Sequence, residues 1–435
     1  MANKRKTSKA SKDAAEKVRK VAKAAAGVKV KKKHKKVVLA VSLVLIVAIV
    51  VGCWFYDRSS LMFSDFFYDV FYELIHPTQP VDALDHEISP APEEPGVANG
   101  EMLVHFVDVG QGDCIILQFP DGKNMVIDGG PRSAKNAVLA YIKAYNITEF
   151  EYLMLTHTDE DHCGSIDDII NSTDVKNLFV PGVTTSQITT AVYRQFIEAM
   201  ENELKTVEGA TSKISAAGMT FGSEEYGYQF EIVVPDEGYH ESVKSSNAEL
   251  INSVSPIMFL TFGNKKICFT GDSNEMNEPV FLEKIKTIDR NGDGTVDEED
   301  YAWYDCDILK VAHHGSRTSS TQEFLDVVKP EIAVIQAGEG NKHGHPTPEA
   351  LSRLENTVLT NESKKGAEIY CTIDYGSIVF RLTAEDDVTK ISEPVTTKKP
   401  AKSGDSSRVV LSRIWCAESR RRTVFVQGEG LRAAA

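Results

Sequence analysis

The chain has 435 residues, with 63 acidic against 48 basic side chains and a net charge of −15. That length accommodates one large folded domain with appendages. Seven cysteines (53, 114, 163, 268, 306, 371 and 416) form an odd set without a spacing framework, which excludes a disulfide scaffold.

The charge is unevenly placed along the chain. Residues 1–36 hold 15 Lys/Arg and two acids, the composition of a basic cytoplasmic arm. Residues 37–56 are then uncharged and rich in Val, Leu and Ile. As a helix, 20 residues span about 30 Å, the thickness of a bilayer core. Trp54, Phe55 and Tyr56 close the run as interfacial aromatics do. The run is too long for a signal-peptide core, so a single-pass membrane anchor is expected, with the lipid bilayer as partner and the C-terminal domain outside the cytoplasm. The arm reads first as an orientation signal and second as a binder of anionic lipid or nucleic acid.

Residues 57–100 begin with aromatics (Phe63, Phe66, Phe67, Tyr68, Phe71, Tyr72) spaced for a helix at the membrane surface. They continue into a Pro- and Glu-rich spacer. Residues 101–384 read as the folded domain. Strand-like runs (114–119, 125–127, 152–155, 230–234, 257–262, 267–270, 308–311, 332–336, 378–382) alternate with helical ones (134–145, 190–204, 321–328, 347–354). Cys114 and Cys268 fall on such strands and Cys163 follows a ligand motif, so buried free thiols are expected there. Residues 385–435 read as linker and tail, with no function assigned to 408–435.

Four strands end in metal-type side chains. The first block runs Phe106-Val-Asp108-Val-Gly110-Gln-Gly112-Asp113, and the second is His157-Thr-Asp159-Glu-Asp161-His162 after the apolar Leu153-Met-Leu. The third is Thr270-Gly-Asp272 and the fourth His313-His314-Gly-Ser316. Any one of them has a bland reading, such as a turn cap or a satisfied core histidine. Four together, in a chain with eleven histidines, make a metal site the economical explanation.

These blocks resemble the metallo-β-lactamase superfamily, and within it the soluble hydrolase domain of the ComEC/Rec2 competence proteins. A fifth block, Asn341 to Pro348 with His343 and His345, is similar to that family's Gly-His-Pro-His-Pro element, with Thr347 in place of the second His. The resemblance covers about residues 102–382 and leaves out the polytopic channel of full-length competence proteins. It implies an α/β fold, the αββα metallo-β-lactamase sandwich, and two divalent ions, zinc or manganese, for a hydrolase that activates water. His157 and Asp159 would serve one ion. Asp161, His162 and His314 would serve the other, with Asp272 bridging. Asp161 and His313 are the residues expected to take part in catalysis. Asp108, Asp113, Asn252, Ser316, His343 and His345 are expected behind the ligands or facing substrate. An aspartate at 159 hardens the first site and moves its preference towards manganese. That site lacks an obvious third histidine: His240 lies in a polar loop, and Asn252 and Ser255 occupy a polar block before the strand at 257.

An insertion at 289–300 fits a twelve-residue calcium loop. Asp289, Asn291, Asp293, Thr295, Asp297 and Asp300 fall at its ligand positions, and Gly294 falls at the sharp turn. Asp300 replaces the usual bidentate Glu, so weak structural calcium binding is expected. Residues 37–395 carry 24 basic against 58 acidic residues, a net of −34. A grip on long duplex DNA asks for a basic face. A short or single-stranded phosphodiester, DNA first, therefore suits the domain better, with Arg317, Lys329, Lys342, Lys364 and Lys365 as a small cationic patch. Three functions follow: a membrane-anchored phosphodiesterase or nuclease; a lactone, β-lactam or cell-wall phosphoester hydrolase on the same scaffold; and a non-catalytic surface binding module.

Overall fold

The computed structural model describes residues 100–391, apart from Tyr239, 360–365 and 385–387. The basic arm, the expected anchor at 37–56, the spacer and the tail from 392 lie outside the described residues. No helix among the described residues is long and apolar enough to cross a membrane.

The strands, in chain order, begin with β1 (Glu101–Phe106), β2 (Ile115–Gln118), β3 (Asn124–Ile127), β4 (Glu149–Met154) and β5 (Asp174–Val180). There follow β6 (Thr211–Ile214), β7 (Thr220–Ser223), β8 (Tyr228–Val234), β9 (Ile257–Phe262) and β10 (Lys265–Phe269). The last five are β11 (Ile308–Lys310), β12 (Ile332–Ile335), β13 (Glu368–Cys371), β14 (Ile378–Thr383) and β15 (Thr389–Lys390). They form two sheets, ordered β15-β14-β1-β2-β3-β4-β5-β6 and β13-β12-β11-β10-β9-β8-β7. Each sheet is antiparallel over one part and parallel over the other: β3 to β6 in the first, β10 to β13 in the second.

One apolar cluster, with Phe106, Leu117, Phe230, Leu260 and Phe380, lies between the sheets. A second packs outside the first sheet, under the helices α1 (Lys135–Ala144) and α2 (Ala191–Thr206). The third packs outside the second sheet, under α3 (Glu278–Ile285), α4 (Gln322–Val328) and α5 (Pro348–Asn356). The result is four layers, helix–sheet–sheet–helix. Because both faces of the inner strands are covered, their sequences are mostly apolar rather than alternating: all four residues of β2, Ile-Ile-Leu-Gln, are buried. Cys114, Cys163 and Cys268 are buried free thiols, as expected, and so is Cys306.

Two local expectations need correction. The segment after 385, read as linker, contributes β15, which pairs with β14 through Phe380–Lys390 and Arg381–Thr389 and extends the first sheet. Lys329, read as part of a cationic patch, is the left-handed C-cap of α4 and pairs with Asp305 at 3.5 Å.

Candidate metal centre

Parallel strands deliver their C-terminal ends to one side of a sheet, and ligands gather there. Here β3 ends at Asp128, β4 leads to His157–His162, β10 to Asp272, β11 to His313 and His314, and β12 to Gln336. The turn from β1 to β2 brings in Asp113. Its Gly112 has φ 137°, and a Cβ there would sit 2.2 Å from the Asp161 carbonyl oxygen, so only glycine lets the turn pass beneath the ligand helix. The Asp113 N–H donates to that same carbonyl (3.1 Å).

Asp272 is the centre of the arrangement. Its Oδ1 lies 3.1 Å from His162 Nε2 and 3.6 Å from His314 Nε2. Its Oδ2 lies 3.9 Å from His157 Nε2 and 3.6 Å from His313 Nε2. His314 Nε2 is also 3.3 Å from Asp161 Oδ2, and His157 Nε2 is 3.9 Å from Asp159 Oδ2. Two donors that each sit about 2.1 Å from one ion lie roughly 3–4 Å apart. The spacings therefore fit two cation positions that share Asp272. His157 Nε2 supports this independently: the ring is fully buried, yet this nitrogen has no hydrogen-bond partner. An orphaned, buried, lone-pair-bearing nitrogen is costly unless something binds it.

The backs of the imidazoles are fixed. His162 Nδ1 contacts Asp128 Oδ2 at 2.7 Å, and Asp128 accepts from the Thr156 N–H (2.8 Å) and hydroxyl (2.7 Å). His314 Nδ1 faces the Gln336 carbonyl at 2.9 Å and Asp113 Oδ1 at 3.2 Å. His157 Nδ1 lies 3.1 Å from the Thr156 hydroxyl and 3.3 Å from the Ser255 hydroxyl, which also accepts the Asp272 N–H (3.2 Å). Such partners fix the tautomer and leave Nε2 free for a metal. Asp113, His162, Asp272 and His314 place ligand atoms within 4.8 Å of one another. Within that quartet Asp113 reaches the Nδ1 edges (4.0 Å from His162), whereas Asp272 faces the Nε2 edges. Asp113 thus lies behind the rings and is itself held by the buried Lys310 Nζ at 2.6 Å.

The electrostatics agree. Burial disfavours an imidazolium at His162, but Asp272, Asp128 and Asp113 outweigh it and hold its pKa well above the ordinary value. In the same way Asp272 and Asp113 push His314 up to about 10 against its burial. Burial raises the Asp272 carboxyl, but His314, His162 and His313 pull it well below the carboxylate range. Burial, with His162 beside it, pushes His157 down to about 3, and burial with Asp161 and Asp272 pushes Asp159 up to about 7. Crowded carboxylates here attract protons in the absence of a stronger cation.

The remaining sequence candidates divide. Asn252 stands between Asp159 and His313: its amide nitrogen, in the orientation its neighbours require, donates to Asp159 Oδ2 (3.2 Å) and the Ala248 carbonyl (3.0 Å), turning its oxygen to His313. His313 itself shares Asp272 Oδ2 with His157. His345 packs edge-on to His313 (ring centroids 5.2 Å apart), and the exposed His343 stacks on His345. Asp108, Ser316 and Thr347 support the loops around the cluster: the Asp108 N–H donates to the Ser377 hydroxyl and Thr347 donates to the Gly315 carbonyl. Asp108 Oδ1 accepts the Gly110 N–H, Ser316 pairs with the Thr318 hydroxyl, and Thr347 caps α5. His240 is half-buried in another loop, where its N–H donates to the Gly182 carbonyl. Asp128, Lys310 and Gln336 are absent from the sequence candidates. Met125-Val-Ile-Asp128-Gly-Gly has the same apolar-run-to-Asp form as the other ligand strands, and Lys310 is a lone charge in an apolar strand, so both left a signal.

Residues 107–339 match the family model of the metallo-beta-lactamase superfamily. The chain belongs to that superfamily. Within it, the chain is similar to competence proteins of the ComEC/Rec2 type. It is 24% identical to ComE operon protein 3 of Bacillus subtilis over 275 residues, covering 59% of this chain and 31% of that protein. It is 26% identical to Recombination protein 2 of Haemophilus influenzae over 271 residues, covering 60% and 28%. The chain thus spans less than a third of the length of these relatives. Among solved structures, it is similar to the metallo-beta-lactamase fold protein YhfI from Bacillus subtilis (12% identity, 65% of this chain and 100% of that one, TM-score 0.38). It is also similar to Igni18, a metallo hydrolase from Ignicoccus hospitalis (15% identity, 64% and 98%, TM-score 0.36).

Proposed function

We propose that the domain is a two-metal phosphodiesterase or nuclease acting on short or single-stranded substrates. The observation that carries this reading is the pairing of imidazoles on the two oxygens of Asp272, at metal-ligand spacing, beside the orphaned Nε2 of His157. His157, Asp159, His313 and Asp272 Oδ2 would hold one ion; Asp161, His162, His314 and Asp272 Oδ1 would hold the other. When bound, the ions would activate water and neutralise charge on the substrate phosphoryl group. Zinc or manganese suits this donor set, and the carboxylate of Asp159 favours manganese in the first position. The chain supplies the rest: Asp128 and Asp113 hold the rings, and Asn252 holds Asp159. His313, partly exposed, presents its outer edge to substrate together with His345. Arg317 and Lys342 are exposed cations on the histidine-bearing loops, and so few cations on a net acidic domain suit few phosphates at a time.

The reading extends to the membrane and to calcium. Residues 37–56 would anchor the chain, with the domain outside the cytoplasm, and the loop at Asp289–Asp300 would bind calcium weakly. The test uses the full chain in detergent, loaded with Mn²⁺ or Zn²⁺. Single-stranded DNA, duplex DNA, a chromogenic phosphodiester and a lactone are compared, with Asp161→Ala as control. Metal-dependent phosphodiester cleavage that is lost in the variant is the expected result. Turnover of the lactone alone, or of nothing, would overturn it.

A further inference from the structure

The turn after β11 concentrates unfavourable backbone. His313 (φ 49°), His314 (φ 54°) and Ser320 (φ 48°) are all left-handed, as is Gly315 between them. Non-glycine residues keep such conformations only where their surroundings over-determine them. Some of that support comes from neighbouring ligand loops: the His313 N–H donates to the Gly271 carbonyl (3.1 Å), and the Gly315 carbonyl accepts from the Thr347 N–H (2.8 Å).

The larger share comes from two side chains with no part in the ligand cluster. Glu278, fully buried at the start of α3, accepts from the Ser320 N–H (2.6 Å), the Thr321 N–H (2.8 Å) and the Thr321 hydroxyl (2.6 Å). Arg353 on α5 donates to the carbonyls of Ser320 (2.7 Å), Ser319 (2.6 Å), Arg317 (3.1 Å) and Ser316 (3.4 Å). One side chain collects the N–H groups of the turn and the other its C=O groups, and their opposite charges attract. Seven hydrogen bonds from two residues on a six-residue turn exceed what closing a surface loop requires. The same end of α3 reaches the bridging ligand. Asn277 Oδ1 accepts from the Ser273 hydroxyl and the Asn274 N–H (both 2.8 Å), and its Nδ2 donates to the Ser255 carbonyl (3.0 Å). Asp272 and the histidine turn are thereby referred to one helix end.

We propose that Glu278 and Arg353 are positioning residues of the metal centre, a two-sided clamp on residues 316–321 that fixes the orientation of His313 and His314. The proposal rests on reading those histidines as part of a metal centre, and not on which bond the centre breaks. Orientation of this kind governs metal affinity, with losses of about 10–100-fold when it is removed.

The test compares full chains carrying Arg353→Ala, Arg353→Lys, Glu278→Gln and, as a control, Leu178→Ala in the core under the opposite sheet. Two quantities are read: Mn²⁺ and Zn²⁺ affinity by chelator competition, and amide hydrogen exchange at 312–321. Arg353→Ala and Glu278→Gln are expected to weaken affinity at least tenfold and to speed exchange across the turn. Arg353→Lys, which keeps the charge but loses the forked donor, falls between them and wild type and decides the matter if Arg353→Ala does not fold. Leu178→Ala, at an equal or lower melting temperature, keeps its affinity within about threefold. Wild-type affinity and exchange in the folded clamp variants would overturn the proposal, as would an equal loss in Leu178→Ala. Tight metal binding without phosphodiester cleavage would refute the proposed reaction and leave the clamp intact; a chain that binds neither ion refutes both.

Discussion

Two regions of the domain gather aspartates, and they treat them in opposite ways. At the metal centre Asp272, Asp113 and Asp128 are buried among imidazoles, and His157 Nε2 is left without a partner. In the exposed loop at 289–300 the aspartates are satisfied by the loop's own backbone. Asp289 accepts from the Gly292 and Gly294 N–H groups, Asp293 from Thr295, and Asp300 from Arg290, Asn291 and Asp297. The first region brings unmet lone pairs of His157 and Asp272 together; the second closes on its own amides. Residue type alone does not make a candidate site: several unmet lone pairs converging in a dry place do.

The strongest way to break this comparison is to remove one aspartate from each region. Asp272→Ala deletes the group that both ion positions share. Bound zinc or manganese is expected to fall from two ions per chain to fewer than one, with roughly a hundredfold or greater loss of turnover, beyond the range for merely supporting residues. Asp289→Ala should leave zinc or manganese content unchanged. Elemental analysis after gel filtration reads both. If Asp272→Ala retained two ions, the contrast would collapse.

Calcium sharpens the other side. A loop already closed by its own amides binds weakly, in the range of about 0.1–1 mM. At the weak end of that range, 10 mM calcium would stabilise the domain by about 1.4 kcal/mol. A thermal shift of the full chain that disappears in Asp289→Ala is the expected outcome, because calcium held elsewhere would survive that substitution. No shift at 10 mM calcium would reduce the loop to an acidic turn.

What the sequence made legible follows the same division. Abrupt ends of apolar runs located β3, β4, β10 and β11 and most of the ligands, because a strand covered on both faces must be apolar and must stop where the polar site begins. The edge strands β6 (Thr-Ser-Lys-Ile) and β7 (Thr-Phe-Gly-Ser) carry no such run, since their side chains are largely exposed. They are strands only because a neighbour offers a free edge. Asp128 and Lys310 left a local signal, but their roles did not show in it, because each depends on a partner far along the chain, His162 and Asp113 respectively. His313 as companion of His157 was equally out of reach, because only folding brings β4 and β11 to a shared aspartate.

A fourth buried histidine, away from the ligand cluster, supplies the cleanest control. His105 on β1 is fully buried like His157, but its neighbours are Tyr141, whose hydroxyl lies 3.0 Å from Nδ1, and the ring of Tyr145. Burial pushes its pKa from 6.5 down to about 3, with only a weak opposing hydrogen bond from Gln118. The folded state therefore holds it neutral, while the unfolded chain binds a proton below pH 6.5. Its contribution to stability is complete above pH 6.5 and is lost as the pH falls from 6.5 towards 3. Between pH 7 and pH 5 the loss is about 2 kcal/mol. The metal centre also responds to acid, so the informative quantity is the difference between wild type and His105→Gln, in which that response cancels. Denaturant midpoints should converge by about 2 kcal/mol as the pH drops from 7 to 5. A constant difference would mean that His105 takes up its proton in the fold as readily as in the unfolded chain, and that burial without a carboxylate does not suffice to keep a histidine neutral here.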